Sequence, residues 1–125
     1  MAGTMQLPEA PAEGWDNVGR CPEGDHDFII LNVADKKPDR NAREFYRTTL
    51  KRVGAPMDEE PIFMNIYEGS ATQAGLFEAL NLLDEGAGEY HIKDRVVNAS
   101  VFHCKDRDQD GTEVIKAKVR RFNPA

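Results

Sequence analysis

Long apolar runs, cysteines and catalytic motifs are all scarce in this 125-residue chain, and each scarcity excludes a class of protein. No stretch approaches the roughly 18 consecutive apolar residues of a membrane-spanning helix, so no membrane span is predicted. The two cysteines, Cys21 and Cys104, are too few for a disulfide framework. Without a secretory leader pattern, they predict reduced thiols and a cytoplasmic location.

Catalytic signatures are missing as well. The chain has no nucleophile elbow, no phosphate-binding loop and no paired-carboxylate motif at the end of a strand. These absences predict a protein that is not an enzyme and that uses no cofactor.

Two short patterns look like metal sites, but other interpretations fit better. The segment from Asp106 to Gly111 matches the first half of a calcium-binding EF-hand loop, but the twelfth position, which must supply a carboxylate, is Ala117. An acidic hairpin turn in which Gly111 has a positive φ is the better interpretation. His103 and Cys104 are neighbours on opposite faces of a strand, so no zinc site is predicted. We expect His103 to be partly buried and hydrogen-bonded.

The charges are present in quantity but are segregated along the chain. The net charge is −6, yet the segment from Lys36 to Arg52 holds seven basic and two acidic residues, and the segment from His91 onwards holds eight and five. The rest of the chain carries 15 acids and one base, and its acidic run 58–60 is expected to be a solvated loop tip. Two positive patches on an acidic body are therefore predicted, and such patches decide where an anion binds.

Alternating and apolar runs predict five strands, and a capping box predicts one helix. Ser70 followed by Gln73 marks the start of the helix, which is expected to run to about Leu83. Its expected buried stripe is Leu76, Phe77, Leu80 and Leu83. The predicted strands are Asp27–Ala34, Arg43–Val53, Ile62–Tyr67, Arg95–Cys104 and Glu113–Phe122.

This order of elements predicts a mainly β fold, a five-stranded OB-like antiparallel barrel with one α-helix between strands 3 and 4. An α+β roll of the same content is the alternative. Residues 20–125 are expected to form this OB-like domain. Residues 1–19 are expected to be a flexible N-terminal arm, in which Trp15 packs against the domain.

The second strand and the final hairpin each combine aromatic rings with cations on one face. Cations bind phosphates and exposed rings stack on unpaired bases, so this composition favours single-stranded nucleic acid. Phe45 and Phe122 could equally cover a second small core or a dimer interface. The predicted nucleic-acid-binding residues are Lys36, Lys37, Phe45, Arg47, Lys51, Phe102, Lys116, Lys118, Arg120 and Phe122.

A succession of strand and turn patterns runs through Pro22–Phe28, Ala34–Lys37, Ile62–Asn65, Leu80–Gly86, Val97–Val101 and Ala117–Pro124. In these segments the chain resembles small phage-type single-stranded DNA-binding proteins of the OB class, which are often encoded beside recombination and replication genes. The resemblance implies coating or annealing of single-stranded DNA in the cytoplasm of a bacteriophage's host. It also implies replication or recombination proteins as partners, and it leaves a homo-oligomer open.

Two other classes of protein remain compatible with the sequence. A virion-structural or protein-interaction module would use the same face against an acidic protein partner. An inhibitor of a host nucleic-acid enzyme would instead imitate DNA with its acidic body.

Overall fold

The computed structural model describes residues 3–5 and 19–124. Most of the predicted N-terminal arm, including Trp15, therefore lies outside the described residues. In the part that is described, no helix has the length and apolar character needed to cross a membrane. Cys21 and Cys104 are free thiols, and burial raises the pKa of the Cys21 thiol to about 11 because a buried thiolate is poorly solvated.

Within these residues the chain forms six β-strands, one α-helix and one short 3-10 helix. The elements are β1 (Gly24–Val33), β2 (Lys37–Pro38), β3 (Glu44–Arg52), β4 (Ile62–Tyr67), α1 (Ala71–Ala79), the 3-10 helix (Leu83–Glu85), β5 (Val96–Arg107) and β6 (Glu113–Asn123). The five predicted strands are confirmed to within three residues at their ends. The two-residue β2 is an addition to the prediction.

Every strand pair in the sheet is antiparallel. β1 pairs with β3 and β5, β3 also pairs with β4, and β5 also pairs with β6. The short β2 pairs with the first two residues of β3. The end strands β4 and β6 approach each other, but among the described residues no ladder joins them. The mainly β antiparallel fold with one helix is confirmed, whereas this sheet is not closed into the five-stranded barrel that was predicted.

The core lies between the inner face of the sheet and α1, which packs against β4, β5 and β6. Phe28, Ile30 and Leu50 are fully buried there, whereas Leu31, in the same apolar run of β1, is 40% exposed, so the interpretation of β1 as a strand covered on both faces is wrong. Each of the fully buried side chains contributes about 1.5–3 kcal/mol to stability. His103 lies at the edge of this core, with Nε2 2.7 Å from the backbone oxygen of Cys21, so its predicted partial burial and hydrogen bond are confirmed.

The helix begins where the capping box predicts and ends earlier. Ser70 Oγ accepts a hydrogen bond from the Gln73 N–H at 3.1 Å, and the Gln73 side chain accepts one from the N–H of Gly69. The helix ends at Ala79, because Asn81 adopts a left-handed backbone conformation with φ of 60°. Leu83 consequently falls in the 3-10 helix and is 49% exposed, so its predicted place in the buried stripe is wrong.

A β-bulge changes the alternation of β6. The register of β6 against β5 shifts between Ser100 and Val101, which leaves Arg120 as the extra residue. Phe122 therefore points into the core, where it is only 6% exposed. The prediction that Phe122 shares a face with the cations of β6 is wrong.

Candidate functional site

The predicted binding residues fall into two groups that lie apart on the sheet. The backbone N–H of Ala34, just beyond the end of β1, donates to the Arg47 oxygen on β3. The first residue of β1, Gly24, pairs instead with Val101, next to Phe102 on β5. Nearly the whole length of β1 separates the two groups, about 30 Å at roughly 3.3 Å per residue.

The first group lies on the outer face of β2, β3 and β4. Phe45 pairs across the strands with Lys37 on one side and with Tyr67 on the other. The Lys37 ammonium lies 5.6 Å from the centre of the Phe45 ring, and the rings of Phe45 and Tyr67 are 5.4 Å apart. Phe45 is thereby covered and only 8% exposed, which contradicts its predicted role as an exposed ring.

One exposed ring and one half-buried ring of this group were missed in the sequence. Phe63 on β4 is 55% exposed, and the Arg47 guanidinium lies 5.4 Å from the centre of its ring. Arg43 lies 4.4 Å from the centre of the Tyr67 ring. The signal for both rings was the alternation of β4, in which Ile62 and Ile66 are buried and the odd-numbered residues point outwards. The β3–β4 cluster is Lys37, Arg43, Phe45, Arg47, Phe63 and Tyr67.

Asp39 fixes the loop between β2 and β3 against the end of β4. Its carboxylate accepts hydrogen bonds from the N–H groups of Asn41 and Arg43 at 2.8 and 3.0 Å and from the Tyr67 hydroxyl at 3.1 Å. Partial desolvation opposes ionisation of Asp39, but these hydrogen bonds together lower its pKa. The same hydrogen bond to Asp39 raises the pKa of Tyr67, because it favours the protonated hydroxyl beside a carboxylate.

Two of the predicted lysines are held by other groups and do not belong to the β3–β4 cluster. Lys36 Nζ lies 2.9 Å from Glu44 and 3.1 Å from Glu68, and these carboxylates raise its pKa. Lys51 donates hydrogen bonds to the backbone oxygens of Pro56 and Glu59, so it fastens the loop that follows β3. Lys37 and Arg47, in contrast, form no ion pair within the described residues.

The second group lies on the outer face of the β5–β6 hairpin. Phe102 pairs with Lys118, and the Arg120 guanidinium lies 5.1 Å from the centre of the Phe102 ring. Lys118 forms an ion pair with Asp106 at 2.8 Å, which raises the pKa of Lys118 and lowers that of Asp106. The hairpin cluster is Phe102, Lys116, Lys118, Arg120 and Arg121, and the last of these was not predicted.

A polar strip separates the two clusters. Asp25 and Asp27 lie on the exposed part of β1 and accept hydrogen bonds from Ser100 and Asn98 of β5. Asn123 of β6 extends this network by donating to Asn98 at 2.7 Å. We call these five residues the polar divide. Its two carboxylates make this strip negative, so it repels a phosphate backbone. Along β1 the outer surface therefore carries a positive cluster, the negative strip and a second positive cluster.

The loop between β5 and β6 has the hydrogen bonds of a tight turn. Gly111 has a φ of 80°, as predicted, and the Asp108 carboxylate accepts hydrogen bonds from the N–H groups of Asp110 and Thr112. Across residues 3–5 and 19–124, no three acidic, histidine or cysteine side chains come together as a metal-binding group would.

A cleft of about 890 Å³ opens on the side of the sheet that faces α1. Its aromatic walls are Tyr46, Phe77 and Tyr90, and Lys36 lies at its rim. The edge of the Tyr90 ring meets the Phe77 ring at 5.5 Å, and its hydroxyl donates to the Gly86 oxygen at 2.6 Å. Apart from Lys36, the predicted binding residues do not line this cleft.

Comparison with known proteins leaves the function of these surfaces to be inferred from their geometry. Neither a protein-family model nor a curated protein sequence matches this chain.

Proposed function

We propose that this protein binds single-stranded DNA through the β3–β4 cluster and has no catalytic role. The observation that carries the proposal is the Arg47 guanidinium over the exposed ring of Phe63. Two further cations, Lys37 and Arg43, lie on the same face beside the rings of Phe45 and Tyr67. A single strand presents phosphates and unpaired bases side by side, and this cluster offers a partner for each.

The energies favour exchange of these internal pairs for contacts with DNA. A cation–ring contact at an exposed site is worth about 0.5–1 kcal/mol. A base stacked on an aromatic side chain is worth about 1–3 kcal/mol, and the displaced cation is then free to bind a phosphate. A base that takes the place of Arg47 above Phe63 therefore offsets the lost cation–ring contact, while the hydrogen bond that Arg47 donates to Asn65 Oδ1 at 3.1 Å is exchanged for one to a phosphate oxygen.

The chain path supports an OB-like barrel as the finer description of the fold. Without the two-residue β2, the strands lie in the order third, second, first, fourth, fifth, and the helix covers the gap between the third and the fifth. In OB folds, oligonucleotides bind on strands 2 and 3 and on the loops between strands 1 and 2 and between strands 4 and 5. Here the two strands and the first of these loops correspond to β3, β4 and the segment that holds Lys37 and Arg43, whereas the loop between β5 and β6 carries Asp108 and Asp110.

Fluorescence anisotropy with a labelled thirty-nucleotide oligothymidylate over a range of salt concentrations tests the proposal. We expect binding at low salt and a fall in log K with log salt of about 0.7 per phosphate contacted. A complete lack of binding at low salt, or an affinity that ignores salt, would overturn the proposal.

Two substitutions separate the role of the cation from that of the ring. Arg47→Ala should lower the salt slope by about 0.7, since one phosphate contact is lost. Phe63→Ala should cost about 1–3 kcal/mol of binding and leave the slope unchanged. The matched controls are Lys93→Ala and Leu83→Ala, which remove an exposed cation and an exposed apolar side chain outside both clusters. Equal effects of a variant and its control would argue against this cluster.

A protein-interaction or virion-structural module was expected to use the cationic face against an acidic partner. The cleft beside α1 instead favours a partner there, because its aromatic walls suit an apolar segment of another protein. Such a module ignores single-stranded DNA at physiological salt. A substitution in the cleft distinguishes the two functions. DNA bound at the β3–β4 cluster leaves the cleft free, so substitution of Phe77 should leave DNA affinity unchanged.

A further inference from the structure

We propose that the hairpin cluster is a second and separate site for single-stranded DNA, so that one molecule holds two strands at once. This inference rests on the proposed function, since it assumes the same ligand chemistry at a new place. Its consequence is that the protein brings strands together rather than only covering one.

The hairpin cluster has the same ingredients as the β3–β4 cluster. Arg120 lies over Phe102 as Arg47 lies over Phe63. Lys118 is neutralised by Asp106, but Lys116, Arg120 and Arg121 have no carboxylate partner in the part of the chain that the structure describes. Lys116 donates a hydrogen bond to the Arg107 backbone oxygen at 3.3 Å and Arg121 donates one to Asn123 Oδ1 at 3.1 Å, so each exchanges a neutral acceptor for a phosphate oxygen when DNA binds. The remaining charge suits a phosphate backbone, and the ring suits a base.

The bulge in β6 builds this cluster. In a regular strand, Arg120 and Arg121 would point to opposite faces of the sheet. The extra residue at the bulge lets Arg121 pair with Ser100 on the outer side while Arg120 remains over Phe102. The bulge thus adds a second guanidinium to the outer face and turns the next ring, Phe122, into the core.

The polar divide keeps the two clusters independent. A strand that ran from Arg47 to Arg120 would cross about 30 Å of sheet, and its phosphates would pass the carboxylates of Asp25 and Asp27. These carboxylates are fixed by hydrogen bonds from Ser100 and Asn98, so they stay on the surface. Two separate segments, one on each cluster, avoid this repulsion.

Energy transfer between two oligonucleotides tests the inference. Short oligothymidylates of about six nucleotides, one set carrying a donor and one an acceptor, cannot pair with each other. We expect energy transfer when both are mixed with the protein at low salt. We expect Arg120→Ala with Arg121→Ala to reduce this transfer at least about fivefold, because it removes two phosphate contacts. The control Lys93→Ala with Lys105→Ala, which removes two exposed cations outside both clusters, should retain it.

The possible outcomes separate this inference from the proposed function. Normal anisotropy binding that Phe63→Ala weakens, together with no energy transfer, would overturn the second site and leave the first. Energy transfer that survives the double arginine substitution would also overturn it, since a dimer joined elsewhere can bridge two strands; sedimentation of the same sample identifies that dimer. An absence of all binding would overturn the proposed function itself.

Discussion

At the scale of single residues, the ion pair of Arg52 with Glu59 shows that a residue in an acidic run of the sequence can be buried. Glu59 lies in the acidic run that was expected to be a solvated tip, yet it is only 6% exposed, so that expectation is wrong for this residue. Both of its carboxylate oxygens accept hydrogen bonds from Arg52, at 2.7 and 3.1 Å. The Arg52 side chain is itself mostly covered, so it depends on this partner.

Glu59→Ala should therefore lower the free energy of unfolding by about 2–3 kcal/mol, because it leaves the Arg52 guanidinium partly buried without its partner. Urea unfolding followed by circular dichroism measures this loss. The neighbouring Glu60 is exposed, and Glu60→Ala should change stability by less than about 0.5 kcal/mol. An equal loss in both variants would contradict the role given to the ion pair.

At the scale of elements, α1 depends on its cap and on its packing. With nine residues it is shorter than the roughly 12–15 residues that an isolated helix needs to be stable in water. Its cap at Ser70 satisfies one of the free N–H groups of the first turn, and Leu76 anchors it in the core.

Ser70→Ala should lower the free energy of unfolding by about 1 kcal/mol, because the Gln73 N–H loses its acceptor. Ser70→Asp keeps an acceptor at the same place and should be close to the parent protein. Thermal unfolding of the three proteins checks this order. The cap would have no such role if the alanine and aspartate variants unfolded at the same temperature.

At the scale of the whole molecule, one phenylalanine that was predicted to bind DNA is buried, and another that was not predicted is exposed. Phe122, predicted on the surface, fills the core opposite Ala99, whereas Phe63, which was left out of the binding set, is the exposed ring beside Arg47. Their substitutions should therefore separate folding from binding.

Phe122→Ala should lower the free energy of unfolding by about 3 kcal/mol or more, because a buried ring leaves a cavity. Phe63→Ala should cost stability no more than about 1 kcal/mol, the worth of an exposed cation–ring contact. Urea unfolding compares the two variants under the same conditions. A larger loss of stability from Phe63→Ala than from Phe122→Ala would reverse the assignment of the two rings.

Local patterns in the sequence were sufficient to predict the strands, the start of the helix and the inner face of β3. These features depend on local periodicity, on turn residues and on a capping pair, and all of them act within a few residues. The antiparallel sheet follows from the same signals. The alternation of β4 was also sufficient to place Phe63 and Tyr67 outside, although those rings were not assigned to the binding set.

Which charged and aromatic side chains lie together depends on strand pairing across the whole sheet. That pairing brings Arg47 to Phe63 and places the β5–β6 hairpin at the other end of β1, so the predicted binding residues divide between two clusters. A single extra residue in β6 turned Phe122 inwards, and no local pattern marks that position. Register between strands is set by the core as a whole, because a shift of one residue moves every later side chain to the other face.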